Sequence, residues 1–202
     1  RKRITPNKED YLKCIYEIGT DMQKITNKEI AARMQVSPPA VTEMIKRMKS
    51  EDLILKDKEN GYLLTDIGLK LVSELYRKHR LIEVFLVHHL DYTSDQIHEE
   101  AEVLEHTVSD LFVKRLDKLL GFPQTCPHGG TIPAEGELLV EINNLPLAAV
   151  QEAGTYLLTR VHDSFELLKY LEKHEIHIGD QVKVKQFDNF SNTFTLVNKG
   201  ED

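Results

Sequence analysis

The chain contains no tryptophan, two cysteines and seven prolines in 202 residues. Two thiols, Cys14 and Cys126, cannot build a disulfide framework, so a reducing cytoplasm suits them better than a secretory compartment. No apolar run approaches the roughly 20 residues that a membrane helix needs. No hydrophobic leader opens the sequence, which speaks against a secreted or membrane protein. Internal repeats and low-complexity tracts are missing. Catalytic signatures are scarce too: there is no glycine-rich phosphate loop and no nucleophile elbow.

What is present points to a folded chain. Hydrophobic residues make up 41%, enough for real cores and against intrinsic disorder. The length suits two small domains, or one with an appendage. The 26 basic against 33 acidic residues give a net charge of −7, unevenly spread. Residues 1–60 carry 13 Lys+Arg and 10 Asp+Glu (+3), and residues 61–202 carry 13 and 23 (−10), summing to −7. A mildly basic head on an acidic body suggests a nucleic-acid-binding head. Uneven charge alone fits many enzymes equally well.

Periodicity then organises the head. Arg1-Lys2-Arg3 precede Ile4 without an initiator Met and are set aside. Tyr11, Leu12, Ile15, Tyr16 and Ile18 form one apolar face, predicting a helix over Asn7–Ile18. Thr26-Asn27-Lys28-Glu29 is a capping box ahead of Ile30, Ala31 and Met34. Val36-Ser37-Pro38-Pro39 breaks the helix and restarts it, with proline where an N–H would be unpaired anyway. The next helix, to about Lys49, turns Val41, Met44, Ile45 and Met48 inward and Thr42, Glu43, Lys46, Arg47 and Lys49 outward. Asn60-Gly61, between Ile54-Leu55 and Tyr62-Leu63-Leu64, predicts a hairpin. Helix, turn, helix and hairpin in this order read as a winged helix-turn-helix, whose second helix can enter a DNA major groove. Ser37, Pro39, Ala40 and Thr42 would meet base edges or methyl groups, while Lys28, Lys46, Arg47 and Lys49 would mostly meet phosphates. The plainer alternative is a helix pair packed without DNA.

Beyond the head, Thr65-Asp66 caps a long helix to about His89, apolar on more than one stripe, as at a domain or dimer interface. A helix is predicted from Thr93 through Val108, and a shorter one from Ser109 or Asp110 to Gly121. After a Pro- and Gly-rich loop over 122–133, the pattern turns to short strands: Tyr156–Val161, then Val182 and Val184, then Phe194–Val197. One helix, Asp163–Lys173, interrupts them.

Ligand-type side chains cluster in the middle. His98, Glu102, Glu105 and His106 share one face of the predicted 93–108 helix. The preceding helix adds His79 and Glu83, four apart, and the first helix adds Asp10. Carboxylates with imidazoles suit manganese, iron, cobalt or zinc. A solvated acidic face is the alternative for a lone Glu-x-x-Glu-His. Cys126 and His128, two apart in a turn, either reach one ion or are a buried thiol and a loop imidazole. Asp163, with Glu166 three later, reads as a helix cap.

These residues resemble the diphtheria-toxin-repressor family, especially its streptococcal manganese-sensing branch. The likeness covers almost the whole chain. It is carried by Tyr11-Leu12-Lys13-Cys14-Ile15-Tyr16-Glu17, Val36-Ser37-Pro38-Pro39-Ala40-Val41-Thr42, Arg77-Lys78-His79-Arg80-Leu81 and Glu105-His106-Thr107-Val108-Ser109-Asp110. The resemblance implies a mainly α chain with a small β-rich C-terminal domain. A winged-helix head would span 1–72, a helical dimerisation and metal-binding domain 73–143, and a FeoA-like β-barrel 144–202. The barrel is expected to lack a part, since it ends at Lys199-Gly200-Glu201-Asp202.

The resemblance further implies a cytoplasmic, metal-activated homodimeric repressor on palindromic operators of metal-uptake genes, with no membrane partner. Asp10, His79, Glu102, Glu105 and His106 would form one metal site. Glu83, Cys126, His128 and Asp163 would form a second, with His98 near both as an alternative ligand. Asp163 thereby changes from a cap to a ligand. Iron-sensing relatives carry Cys where Glu102 stands; a carboxylate is harder and favours Mn2+, with Fe2+ next and Zn2+ or other divalent ions substituting in vitro. Two-domain manganese relatives carry Glu where Lys13 stands, and a cation there argues against their closely spaced two-metal cluster. The competing readings are a metal-dependent hydrolase with an accessory DNA-binding head, and a metal-independent DNA-binding dimer.

Overall fold

The structure is a computed structural model that describes residues 4–93, 96–143, 145–162, 164–188 and 193–197. It comprises two compact units, one of residues up to 78 with 133–139, the other of 79–132 with residues from 140 onward.

In the first unit, α1 (Pro6–Thr20), α2 (Asn27–Met34) and α3 (Pro38–Ser50) are followed by strands β1 (Ile54–Asp57) and β2 (Gly61–Leu64). The capping box forms: the Thr26 hydroxyl accepts from the Glu29 amide at 3.1 Å. Gln35 closes α2 in the left-handed region. Ser37 stands at the N-cap of α3 without a side-chain cap bond, so the two prolines alone start that helix. Tyr11, Leu12, Ile15, Ile18, Ile30, Val41, Ile45 and Met48 fill one core, the inward faces that the periodicity predicts.

The hairpin is built differently from a two-residue Asn-Gly turn. Asp57 pairs with Gly61, leaving a three-residue loop of Lys58, Glu59 and Asn60. The Asp57 carboxylate accepts from the Glu59 and Asn60 amides at 2.9 and 2.7 Å. Gly61, at φ +82°, enters β2 where a Cβ would lie 2.0 Å from the Ile25 carbonyl oxygen. Only glycine fits that approach, which also lets the Ile25 amide reach the Asn60 oxygen at 2.9 Å.

α4 (Asp66–Leu90) starts where the Thr65 hydroxyl accepts from the Gly68 amide. α5 covers Ile97–Glu105 only, and α6 covers Asp110–Leu119 with Ser109 as its cap. The expected single helix over 93–108 is therefore shorter. The Thr107 and Val108 amides both turn back to the Leu104 oxygen, which ends α5 and leaves His106 at its C-cap. Leu81, Ile82, Leu86, Ile97, Ala101, Val113 and Leu116 form the core of this region.

β3 (Gly154–Leu157), α7 (Phe165–Lys173), β4 (Gln181–Asp188) and β5 (Thr193–Val197) complete the second unit. The strands pair antiparallel in the order β3-β4-β5, with an irregularity between Val184 and Gln186. Among the described residues this sheet is open, so the expected barrel is not closed here. β3 ends at Leu157, short of the expected Val161, because the chain then leaves the ladder: the Leu158 amide pairs with Asp180 outside the strands. Ser164, not Asp163, caps α7 and accepts from the Leu167 amide. No helix among the described residues is long and apolar enough to cross a membrane.

Candidate metal centre

α4 carries His79 and Glu83 one turn apart on its buried face, with the His79 Nε2 3.1 Å from Glu83 Oε1. Across from them, the end of α5 presents Glu105, whose Oε2 lies 2.5 Å from the His79 Nδ1. His79, Glu83 and Glu105 are 4%, 1% and 0% exposed. Ionisable groups withdrawn this far from water need partners of opposite charge or a cation. His79 thus touches a carboxylate from each of the two expected sites.

A tight turn brings the third component. The Gly129 amide donates to the Cys126 oxygen, and the Cys126 amide to the Gly130 oxygen, both at 2.9 Å. This closes the turn and aims His128 at Glu83, with Nδ1 3.3 Å from Oε1. Gly129, at φ +81°, passes so close to the next segment that a Cβ would lie 1.9 Å from the Thr159 oxygen. The Val161 amide donates to the His128 oxygen at 3.0 Å and holds the turn from that side. Burial first, and the Glu83 carboxylate second, push the Cys126 thiol far above its ordinary range.

Among the described residues of the second unit, two donor sets converge: His79, Glu83 and His98, and Glu83, Cys126 and His128, each with its ligand atoms within 4.8 Å of one another. Glu83 belongs to both. Imidazole, carboxylate and thiol at this spacing fit a divalent transition metal, and a cation would offset the cost of the buried carboxylates.

The remaining expected ligands are placed less uniformly. Glu102 is exposed on α5 and belongs to neither of these sets; its Oε1 lies 3.4 Å from the His98 Nε2. The face expected to hold positions 98, 102, 105 and 106 is thus split, with Glu105 buried, Glu102 in solvent and His106 beyond the helix end. The His106 Nε2 lies 3.7 Å from the Glu105 Oε1. Asp10 is exposed on α1 in the first unit. Asp163 lies outside the described residues.

Sequence reasoning missed the clamp behind the turn. The Arg80 guanidinium donates to the Thr131 oxygen at 2.6 Å and to the Glu141 carboxylate at 2.7 Å. The other Glu141 oxygen accepts from the Thr131 amide at 2.9 Å. Burial alone would push the Glu141 carboxyl up, yet Arg80, the Thr131 amide and Arg160 hold it below its ordinary value. Arg80 sits in the quoted Arg77–Leu81 motif, which is its only sequence signal.

In the first unit, Lys28, Ser37, Pro39, Ala40, Thr42, Lys46, Arg47 and Lys49 are all exposed. Asn27, also missed from sequence, donates to the Thr42 hydroxyl at 3.2 Å and so ties α2 to α3. Arg47 is held by Glu43 at 3.1 Å, one turn earlier.

A winged helix with a basic exposed helix, in one chain with buried histidine–carboxylate sets, is the build of a metal-responsive DNA-binding regulator. Known proteins match it throughout. Residues 3–62 match the N-terminal DNA-binding domain of iron-dependent repressors, 65–134 their metal-binding and dimerisation domain, and 145–202 a FeoA domain. The diphtheria toxin repressor of Corynebacterium diphtheriae is 27% identical over all of this chain and 92% of its own. The manganese regulator SloR is 60% identical with a TM-score of 0.88, covering 98% of this chain and 92% of its own. Zinc-bound ScaR is 65% identical with a TM-score of 0.92, covering 96% and 92%. The chain belongs to the iron-dependent repressor family, that of the diphtheria toxin repressor, and is a metal-dependent transcriptional repressor.

Proposed function

We propose that this repressor is a manganese-activated homodimer acting in the cytoplasm on palindromic operators of metal-uptake genes, without enzymatic activity. Its close likeness to SloR, a manganese regulator, and to ScaR, a manganese-activated repressor, supports the choice of metal. A carboxylate at Glu102 adds to it, being harder than thiolate and favouring Mn2+ over softer ions. Fe2+ is the next choice, and Zn2+ can substitute in vitro. Nothing observed favours a hydrolase, and the matched relatives are repressors. We retain the domain division 1–72, 73–143 and 144–202.

The observation that carries the reading is the buried chain of contacts Glu105–His79–Glu83–His128. We assign Asp10, His79, Glu102, Glu105 and His106 to one site. Glu83, Cys126, His128 and Asp163 form the other, with His98 as an alternative ligand. These residues would hold the ion, which would supply the positive charge that offsets the clustered carboxylates. Asp10 belongs to the head and the other four ligands of its site to the middle domain, so filling that site would fix the head. Two heads held at a fixed separation match half-sites about 34 Å apart, one DNA turn. Ser37, Pro39, Ala40 and Thr42 read base edges, and Lys28, Lys46, Arg47 and Lys49 hold phosphates. A swing from about 1% to 99% competent dimer requires roughly 10⁴-fold tighter metal binding to the competent form.

Fluorescence anisotropy of an uptake-gene promoter fragment, with Mn2+ titrated and then chelated, tests this. Binding should appear only with Mn2+ and vanish in Glu105→Gln. Equal binding with chelator would overturn metal gating.

A further inference from the structure

We propose that a cavity beside the Cys126–Gly130 turn is the route by which a hydrated divalent cation reaches and leaves the Glu83–Cys126–His128 set, with Glu172 and His177 as its outer stopping point. The proposal rests on the reading of that set as a metal site. Glu83 and Cys126 are 1% and 7% exposed, so an ion reaches them only past other side chains. A buried site needs a path. Of the three donors only His128 lines the cavity, which has a volume of about 210 Å³. That space seats several waters, so a divalent ion can keep part of its hydration shell inside it.

The lining residues differ in chemistry and in exposure. Leu168 and Ile176 form apolar wall and offer no ligand. The ionisable side chains of the lining are His128, Glu172 and His177. At the inner end is His128, 3.3 Å from Glu83. At the outer end are Glu172 and His177, with side chains 59% and 57% exposed and 3.7 Å apart. The Asp180 carboxylate lies 3.7 Å from the His177 ring and also accepts from the His177 amide at 2.8 Å, which holds the residue at the mouth. A carboxylate and an imidazole in open solvent hold a divalent ion weakly, as a stopping point must. Ile178 borders the same opening, and at 37% exposure it can change size without disturbing a core.

Cobalt makes the route measurable. A thiolate–Co2+ charge-transfer band would report occupancy of the set holding Cys126, and Cys126→Ser should abolish it. Stopped-flow mixing with Co2+ gives uptake, and mixing the loaded protein with excess EDTA gives release. Ile178→Trp narrows the mouth and should slow uptake and release together by about tenfold, because a barrier on a shared path leaves Kd unchanged. Ile178→Ala should speed both, and Glu172→Gln with His177→Asn should slow both. An intact band with wild-type rates in all three variants overturns the route and leaves the site standing. A changed Kd with unchanged uptake also overturns it. A wild-type protein without the band overturns the site reading, and the route with it.

Discussion

The His79 Nδ1 and a Glu105 carboxylate oxygen lie 2.5 Å apart, and both side chains are buried. A buried carboxylate is costly unless its partners hold it, and removing the charge of one partner of such a pair leaves the other uncompensated. Glu105→Gln keeps the shape. In metal-free protein it should be less stable than the wild type by roughly 1.5–3 kcal/mol, the worth of a hydrogen bond to a charged group. The wild type should gain about 2.7 kcal/mol at 100 times the metal Kd, and the variant should lose most of that gain. Thermal melts with and without Mn2+ measure both effects. An equal metal-induced rise in the two proteins would remove Glu105 from the site.

The Arg80–Glu141 pair makes stability depend on pH. The Glu141 carboxyl is held below its ordinary value, so the folded state binds its proton less readily than the unfolded chain does. The resulting stability is complete above the unfolded carboxyl pKa of about 4.3 and fades as pH falls through the lower folded value. Urea unfolding of wild type and Glu141→Gln should therefore differ at neutral pH and converge in acid. A difference that persists unchanged to pH 3 would sink this account.

Gly129→Ala should be strongly destabilising for the second unit. Its Cβ would fall 1.9 Å from a backbone oxygen at a positive φ, so the turn must move and carry His128 away from Glu83. A cost above roughly 1 kcal/mol is expected from the backbone conformation alone. The Co2+ charge-transfer band should weaken in parallel with the fall in Tm.

Lys46 is exposed on α3. Lys46→Ala should weaken operator and non-specific DNA binding about equally and reduce the slope of log K against log salt by about 1. Thr42→Ala should instead lower discrimination between operator and mutated operator. Anisotropy across a salt series separates the two roles.

Much of the head was legible in the sequence because its signals are local. The Thr26–Glu29 cap, the Pro38-Pro39 start and the apolar face of α1 each depend on residues within a few positions of one another. The hairpin was legible as a hairpin. Its three-residue loop was not, since the approach of Gly61 to the Ile25 oxygen is a contact between distant parts of the chain. α5 was drawn too long for a related reason: the turn back to the Leu104 oxygen competes with continued helix, and periodicity does not register that competition.

The sequence alone determined which side chains are chemically fit to be ligands, and that His79 and Glu83 share a helix face. Only the tertiary structure decided that His79 stands between Glu83 and Glu105, that Glu83 is common to two donor sets, and that Glu102 faces solvent beside His98. It also decided that Arg80 and Glu141 clamp the turn bearing His128. Helical spacing relates residues within one element. The meeting of α4, the end of α5 and the Cys126–Gly130 turn depends on how separate elements pack, which no local pattern encodes.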